Sequence, residues 1–351
     1  ILAPVILFRH GKYGLLKNTT VITPNHHIYH LLNHCKSMAK KIGILTAGGD
    51  CPGLNAAIRG VAKTAIVEYG MEVIGFSSGF KGLIEKEYMV LDEKSVSGIL
   101  TLGGTILGTS REKPFKKVNP DDMEEDTKTQ QIIDNYNQLG LDCLVCIGGN
   151  GTIKNAYKLS QIGLNIIGIP KTIDNDVWGT DRTFGFDSAV AICTDAIDKL
   201  HTTGNSHKRI MVIEVMGHNA GWIALYAGIA GGGDVILIPE IEYDLQIIAK
   251  YLADRHAKGK PVSIVVAAEG VKHGKKKSPG PYLAKKIEEL TGIETRETVL
   301  GYIQRGGTPT ATDRILATRY GRYAAELIAT EQYNQMVAFK DNVIISIPLA
   351  E

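Results

Sequence analysis

Asn165-Ile166-Ile167-Gly168-Ile169-Pro170-Lys171-Thr172-Ile173-Asp174-Asn175-Asp176 decides how this chain is read. A strand-like apolar segment ends at Ile169, and the polar run after it gathers two carboxylates, an amide, a hydroxyl and an ammonium. In a parallel α/β sheet, ligands bind in the crevice outside the carboxyl ends of the strands, so such a cluster reads as a reaction centre. Asp174 can take the proton of an attacking hydroxyl, and Asp176 can reach a metal. That is the minimum apparatus for moving a phosphoryl group.

Working outward, strand-like runs alternate with helical patterns from residue 41 onward. That alternation predicts an α/β fold, with mainly parallel sheets covered by helices. Strands are expected at 42–45, 73–76, 143–147, 166–169, 210–215, 235–238, 263–268 and 343–347. Amphipathic helices are expected at 54–69, 129–139, 152–162, 187–203, 219–231, 245–258, 281–291 and 312–330. The charged segment 112–128 reads as an exposed loop with a short helix.

The 351 residues suffice for two lobes and a large core. A net charge of +2 gives no footprint for nucleic acid, and no apolar stretch approaches the roughly 20 residues a membrane span needs. Five cysteines are too few for a disulfide scaffold, which favours a reducing cytoplasm. Cys143 and Cys146 form a C-x-x-C inside an apolar strand, where positions three apart point to opposite faces; they read as buried structural thiols. Residues 1–37 differ in composition, holding five of the ten histidines, and read as a disordered or misassigned leader before a natural start at Met38. The chain opens without Met and ends just past the strand-like 343–347, as a fragment would.

The strand ends carry the chemistry. Strand 42–45 runs into Gly48-Gly49-Asp50, 143–147 into Gly148-Gly149-Asn150-Gly151-Thr152, 210–215 into Met216-Gly217-His218, and 263–268 into Glu269-Gly270. Glycines there let backbone N–H groups approach phosphate oxygens, and a helix N-terminus adds favourable partial charge. G-x-x-x-x-G-K-[ST] is absent, so this is not a P-loop enzyme; G-x-G-x-x-G is absent from the first strand–helix turn, which weakens a dinucleotide reading. Arg111, Arg209, Arg296 and Arg305 supply cations suited to bidentate phosphate contacts.

GGDCPGLNAAIRG, GGTILGTSR, IGGNGT, PKTIDND, GTDRTFGFDSA, VIEVMGHNAGW and ETRETVLGYIQRGG, in this order from Lys41 to about Thr330, resemble the phosphofructokinase family. The resemblance implies two α/β lobes with the active site between them. The larger lobe would hold about 39–184 plus 297–351, and the smaller about 185–296. It implies the glycolytic transfer of phosphate from ATP, with Mg²⁺, to the 1-hydroxyl of fructose 6-phosphate. By the same resemblance Asp174 is the general base, and Thr172, Arg111 and the backbone at Gly49 serve the transferring phosphate. Glu112, Gly149, Asn150, Gly151 and Thr152 complete the donor side, with Asn150 and Asp176 towards the metal. Ile173, Met216, Gly217, His218, Glu269, Tyr302, Ile303, Gln304 and Arg305 line the sugar phosphate. Arg209 and Arg296 reach the 6-phosphate from a neighbouring subunit, which implies an oligomer with shared sites.

Asn150 stands where the best-known ATP enzymes carry an aspartate, His218 replaces an arginine and Tyr302 a histidine. The run Gly108-Thr109-Ser110-Arg111 and the inserted loop after it resemble the mixed-donor branch. Two positions bear on the donor. Gly151 leaves room for a nucleotide where pyrophosphate users carry aspartate, whereas Lys171 matches the pyrophosphate users. Sterics favour ATP, because a side chain at 151 excludes the nucleotide while a lysine at 171 only adds charge. Arg59, Lys63, Lys258 and Lys260 match part of the family's effector site, but Glu93 and His201 fall where arginines are expected. The alternatives are a pyrophosphate-dependent enzyme and a regulatory subunit that binds sugar phosphates without turnover.

Overall fold

The structure, a computed structural model, describes residues 39–115, 124–273 and 278–351. The leader expected at 1–37 lies outside the described residues, as does part of the loop expected within 112–128. The first half of the chain forms β1 (Lys41–Thr46), α1 (Leu54–Tyr69), β2 (Glu72–Phe76), α2 (Phe80–Glu85), β3 (Tyr88–Val90), α3 (Glu124–Gln138), β4 (Cys143–Gly148), α4 (Asn150–Gln161), β5 (Ile166–Thr172), β6 (Phe184–Gly185) and α5 (Phe186–His207). The second half forms β7 (Ile210–Val215), α6 (Trp222–Ala230), β8 (Val235–Leu237), α7 (Leu245–Ala257), β9 (Ser263–Ala268), α8 (Pro279–Thr291), β10 (Thr295–Val299), a 3₁₀ turn (Gly301–Arg305), α9 (Ala311–Ala329), β11 (Gln335–Lys340) and β12 (Val343–Pro348).

Two sheets result. The larger has the order β12-β11-β5-β4-β1-β2-β3, with β6 added beside β5; it is parallel except where β3 and β12 close its edges antiparallel. The smaller, β10-β7-β9-β8, is wholly parallel. The central strands are near-continuous apolar runs because helices cover both of their faces. β4 shows this most plainly, with all six residues buried. Cys143 packs with the core under α1, while Cys146 packs with Leu45 and Phe76 in the cluster on the opposite face, as the C-x-x-C geometry requires.

Helices α1 and α9 meet backbone to backbone. A Cβ at Gly60 would stand 2.8 Å from the Thr318 carbonyl oxygen, and one at Gly321 would stand 2.5 Å from that of Ala57. Only glycine permits that separation. Helix α5, whose 22 residues extend about 33 Å, crosses from the larger sheet to the smaller. Its start is pinned by the buried Asp313 on α9, which accepts from the Ser188 N–H at 2.8 Å and the Ser188 hydroxyl at 2.6 Å. No described helix is long and apolar enough to cross a membrane.

Several expectations shift. β5 continues to Thr172, so Pro170, Lys171 and Thr172 belong to the strand rather than follow it; Lys171 and Thr172 there pair with β6. The boundary expected at 296/297 falls inside β10, whose five residues all pair with β7, so the smaller sheet runs on to Val299. Helix α6 starts at Trp222 rather than 219, because Asn219 belongs to a turn that the Ala220 N–H closes on the Gly217 carbonyl at 2.8 Å, and Gly221 is the residue that precedes the helix. Helix α3 starts at Glu124, five residues before its expected start. Strands β3, β6, β10 and β11 and helix α2 were not anticipated.

Candidate active site

The ends of β1, β4 and β5 converge on one cleft of about 330 Å³. At β1, Gly48 takes φ +83° and donates its N–H to the Ser110 carbonyl at 3.1 Å. The Thr109 hydroxyl donates back to the Gly48 carbonyl at 2.6 Å, so the β1 turn and the 109–110 segment hold each other. At β4, Gly149 precedes α4 and supplies no side-chain cap, leaving the first N–H groups of α4 available to an anion at the cleft. A Cβ at Gly151 would meet nothing within 4 Å, so any side chain there would project into the cleft.

The end of β5 brings the polar cluster to the cleft. Lys171 is only 4% exposed, donates its ammonium to the Gly49 carbonyl, and has its pKa lowered by burial. The Asp174 N–H donates to the Thr172 hydroxyl at 3.0 Å, which turns the chain out of the strand. Asn175 then takes a left-handed φ of 52°, with its side-chain oxygen accepting from the Thr183 N–H at 2.8 Å. The loop is thereby held on both sides of Asp174. Burial raises the Asp174 carboxyl to about 6, with the carboxylates of Asp176 and Glu269 pushing the same way and Arg305 and His218 pulling back. A carboxylate desolvated in this manner is poised as a proton acceptor near neutral pH.

The Asn150 side-chain amide donates at 3.1 Å to both the Asp176 carboxylate and its backbone carbonyl. Among the described residues no group of three His, Cys, Asp or Glu side chains could hold a metal alone. Mg²⁺ needs no such cage, since it is held by one or two carboxylates together with substrate phosphates. The Asp176 carboxylate and the Asn150 amide, facing the phosphate-type turns at Gly49 and Gly149, fit that requirement.

Thirteen expected residues line the cleft: Gly49, Arg111, Glu112, Gly149, Asn150, Gly151, Thr152, Lys171, Thr172, Ile173, Asp174, Asp176 and Arg305. Glu112 is ion-paired to Lys128 on α3 at 3.1 Å. Met216, Gly217, His218 and Glu269, at the ends of β7 and β9, do not line this cleft; the His218 N–H donates to the Glu269 carboxylate at 2.8 Å, and both side chains lie near enough to act on Asp174. Tyr302 and Ile303 are exposed on the 3₁₀ turn, with the Arg305 guanidinium 5.2 Å from the Tyr302 ring centre. Gln304 is wholly buried and touches protein on every side. Arg209 and Arg296 are outside the cleft, flanking Glu294 at 2.6 Å and 2.5 Å.

Phe80, Lys113 and Asn155 line the cleft but were not expected there. Asn155 was findable, because it stands four residues after Gly151 on α4 and so shares its face. Phe80 and Lys113 offered no sequence signal. Asp50 and Ser110, noticed only as parts of turns, also line it.

A family model described as phosphofructokinase matches residues 41–328. The chain is 61% identical over 311 residues to ATP-dependent 6-phosphofructokinase 3 of Bacteroides thetaiotaomicron, covering 89% of this chain and 92% of that one. It is 58% identical over 334 residues to ATP-dependent 6-phosphofructokinase of Spirochaeta thermophila, covering 89% and 90%. The crystal structure of Pichia pastoris phosphofructokinase superposes with a TM-score of 0.81 at 33% identity, over 90% of this chain and 35% of that larger chain.

Proposed function

The chain belongs to the phosphofructokinase family, and on that premise we propose that it transfers the terminal phosphoryl group of ATP to the 1-hydroxyl of fructose 6-phosphate. The products are fructose 1,6-bisphosphate and ADP, so the reaction belongs to glycolysis. The observation that carries this reading is Asp174: a partly desolvated carboxylate lining the cleft, held between a threonine hydroxyl turn and a left-handed asparagine and within electrostatic reach of Glu269 and His218.

Asp174 takes the proton of the sugar's 1-hydroxyl as that oxygen forms a bond to the terminal phosphorus. The bond from that phosphorus to the bridging oxygen breaks, and ADP leaves with the electron pair. Backbone N–H groups at Gly49 and the start of α4, with Arg111, meet the charge on the phosphoryl oxygens. Asp176 and Asn150 would hold Mg²⁺, which when bound neutralises charge on the donor phosphates. The wall formed by Met216, Gly217, Glu269 and the turn at Tyr302 to Arg305 takes the sugar phosphate. ATP as donor is supported by the names of the 61% and 58% identical relatives and by the open space at Gly151.

Arg209, half-buried, and Arg296, exposed, lie beside Glu294 and away from the cleft of their own chain, and would serve the 6-phosphate in a neighbouring subunit of an oligomer. The described cysteines are all buried and free, which suits a reducing cytoplasm.

Steady-state assays with ATP and pyrophosphate side by side test the reading. Turnover of fructose 6-phosphate with ATP supports it, and turnover with pyrophosphate alone would reassign the donor. Binding of fructose 6-phosphate with no turnover of either donor would make the chain a regulatory subunit.

A further inference from the structure

Gln304 carries a role its sequence neighbours conceal. Its side chain is 0% exposed, so it does not reach a ligand in the cleft. Its oxygen accepts from the Met216 N–H and from the Cys193 thiol, each at 3.0 Å, and its amide nitrogen donates to the Gly301 carbonyl at 3.0 Å. Three separate segments meet on this one amide. Met216 is the residue at which β7 gives way to the Gly217-His218 turn, Cys193 belongs to the crossover helix α5, and Gly301 opens the 3₁₀ turn carrying Tyr302 and Arg305. That turn reaches across to the larger sheet, where a Cβ at Gly49 would stand 2.9 Å from an Arg305 guanidinium nitrogen.

We propose that Gln304 is the positioning residue that fixes the sugar-phosphate wall, setting the β7 turn and the Arg305 turn at one separation. The proposal rests on fructose 6-phosphate being the acceptor. The physical reason is the asymmetry of a buried amide. While its partners are satisfied it adds little net energy, but any rearrangement leaves a buried N–H or carbonyl unpaired, so the arrangement is held stiffly. An amide meets both needs in one uncharged group, offering an acceptor to Met216 and a donor to Gly301 at once.

The test is equilibrium binding of fructose 6-phosphate by calorimetry to the full chain and its variants, with the KM for ATP as control. Gln304→Met keeps the volume and removes both hydrogen-bonding ends. It should weaken fructose 6-phosphate binding by about tenfold or more while leaving the KM for ATP within about threefold. A general loss of stability would not split the two substrates in that way. Gln304→Glu gives a second, independent readout. A protonated carboxyl also offers one acceptor oxygen and one O–H donor, whereas the ionised form has no donor for Gly301. Burial raises the pKa of such a carboxyl, so binding relative to wild type should be near normal at about pH 6 and about tenfold weaker at about pH 9.

The proposal is overturned if Gln304→Met binds fructose 6-phosphate within about twofold of wild type, or if the ratio of Gln304→Glu to wild type does not change with pH. Should Gln304→Met not fold, the pH arm of Gln304→Glu decides alone. Failure of the wild-type chain to bind fructose 6-phosphate would instead overturn the acceptor itself.

Discussion

The Asn150 side-chain amide lies 3.1 Å from the Asp176 carboxylate, joining the first residue of α4 to the loop beyond β5 across 26 positions of sequence. The pair gives a candidate metal site one negative charge where two carboxylates would give two. Asn150→Asp should therefore lower the Mg²⁺ concentration needed for half-maximal turnover, by about threefold or more, because hard cations respond to ligand charge. Titrating Mg²⁺ at fixed ATP reads this directly. An unchanged or higher requirement would mean that position 150 does not face the metal.

Asp174 titrates at about 6 in the fold, above the ordinary carboxylate range. As a base it must be ionised, so kcat/KM should fall as pH drops through about 6. Asp174→Asn should lower kcat by about 10² to 10⁴-fold while fructose 6-phosphate still binds. Stability should move the other way. A carboxyl whose folded pKa is raised stabilises the fold fully only below its unfolded value, and that contribution is lost as pH rises through the folded value. The melting temperature of Asp174→Asn relative to wild type should thus increase with pH across that window. A pH-independent difference would show that the carboxylate is not desolvated.

Gly151→Asp should cut kcat/KM for ATP without changing the melting temperature, since a Cβ there meets nothing within 4 Å. The new carboxylate would stand in the cleft against the donor's phosphates, and like-charge contact in such a site costs several kcal/mol, or about 10²-fold or more. Retained ATP efficiency would remove the steric basis for ATP as donor.

Arg209 and Arg296 share Glu294 and lie outside their own chain's cleft. Arg209→Ala and Arg296→Ala should raise the KM for fructose 6-phosphate far more than that for ATP. Subunits carrying Asp174→Asn mixed with subunits carrying Arg209→Ala should regain activity, because some hybrid sites draw both intact residues. Hybrids as inactive as their parents would argue that each site is built within one chain.

Gly321→Ala should destabilise the fold although alanine is the better helix former by about 1 kcal/mol. The added methyl would stand 2.5 Å from the Ala57 carbonyl oxygen and 2.7 Å from the Val61 nitrogen, backbone atoms that cannot swing aside. Forcing α1 and α9 apart should give a net loss of about 1–3 kcal/mol, read from the denaturant midpoint. A rise in the midpoint would mean that the helices do not meet at these glycines.

Much of the fold was written locally. Runs such as 143–147 and 263–268 announce buried parallel strands because every residue but Ser263 is apolar, and the helices between them show a 3.6-residue period. Where pattern failed, the element owed itself to a neighbour. β6 is two residues long and exists only because β5 lies beside it. β10 reads Thr-Arg-Glu-Thr-Val, with no apolar run, and is a strand because the edge of β7 is open to it.

The candidate site divides along the same line. Short-range chemistry was legible: the cluster from Lys171 to Asp176 and the glycine turns sit at strand ends, and strand ends are where parallel sheets place their ligands. By itself the sequence determined the fold class and pointed to the polar cluster after β5 and the glycine turns, since each is encoded within a dozen neighbouring positions. Only the tertiary structure decided that Lys171 is buried against Gly49 and that Asn150 meets Asp176. Only it showed that Gln304 is buried on Met216, Cys193 and Gly301 while Tyr302 and Ile303 are exposed and Arg305 lines the cleft. The reason is physical. Burial and hydrogen-bond partnership depend on segments 26 to 122 residues apart in these cases, and no local pattern records which distant strand end will arrive alongside.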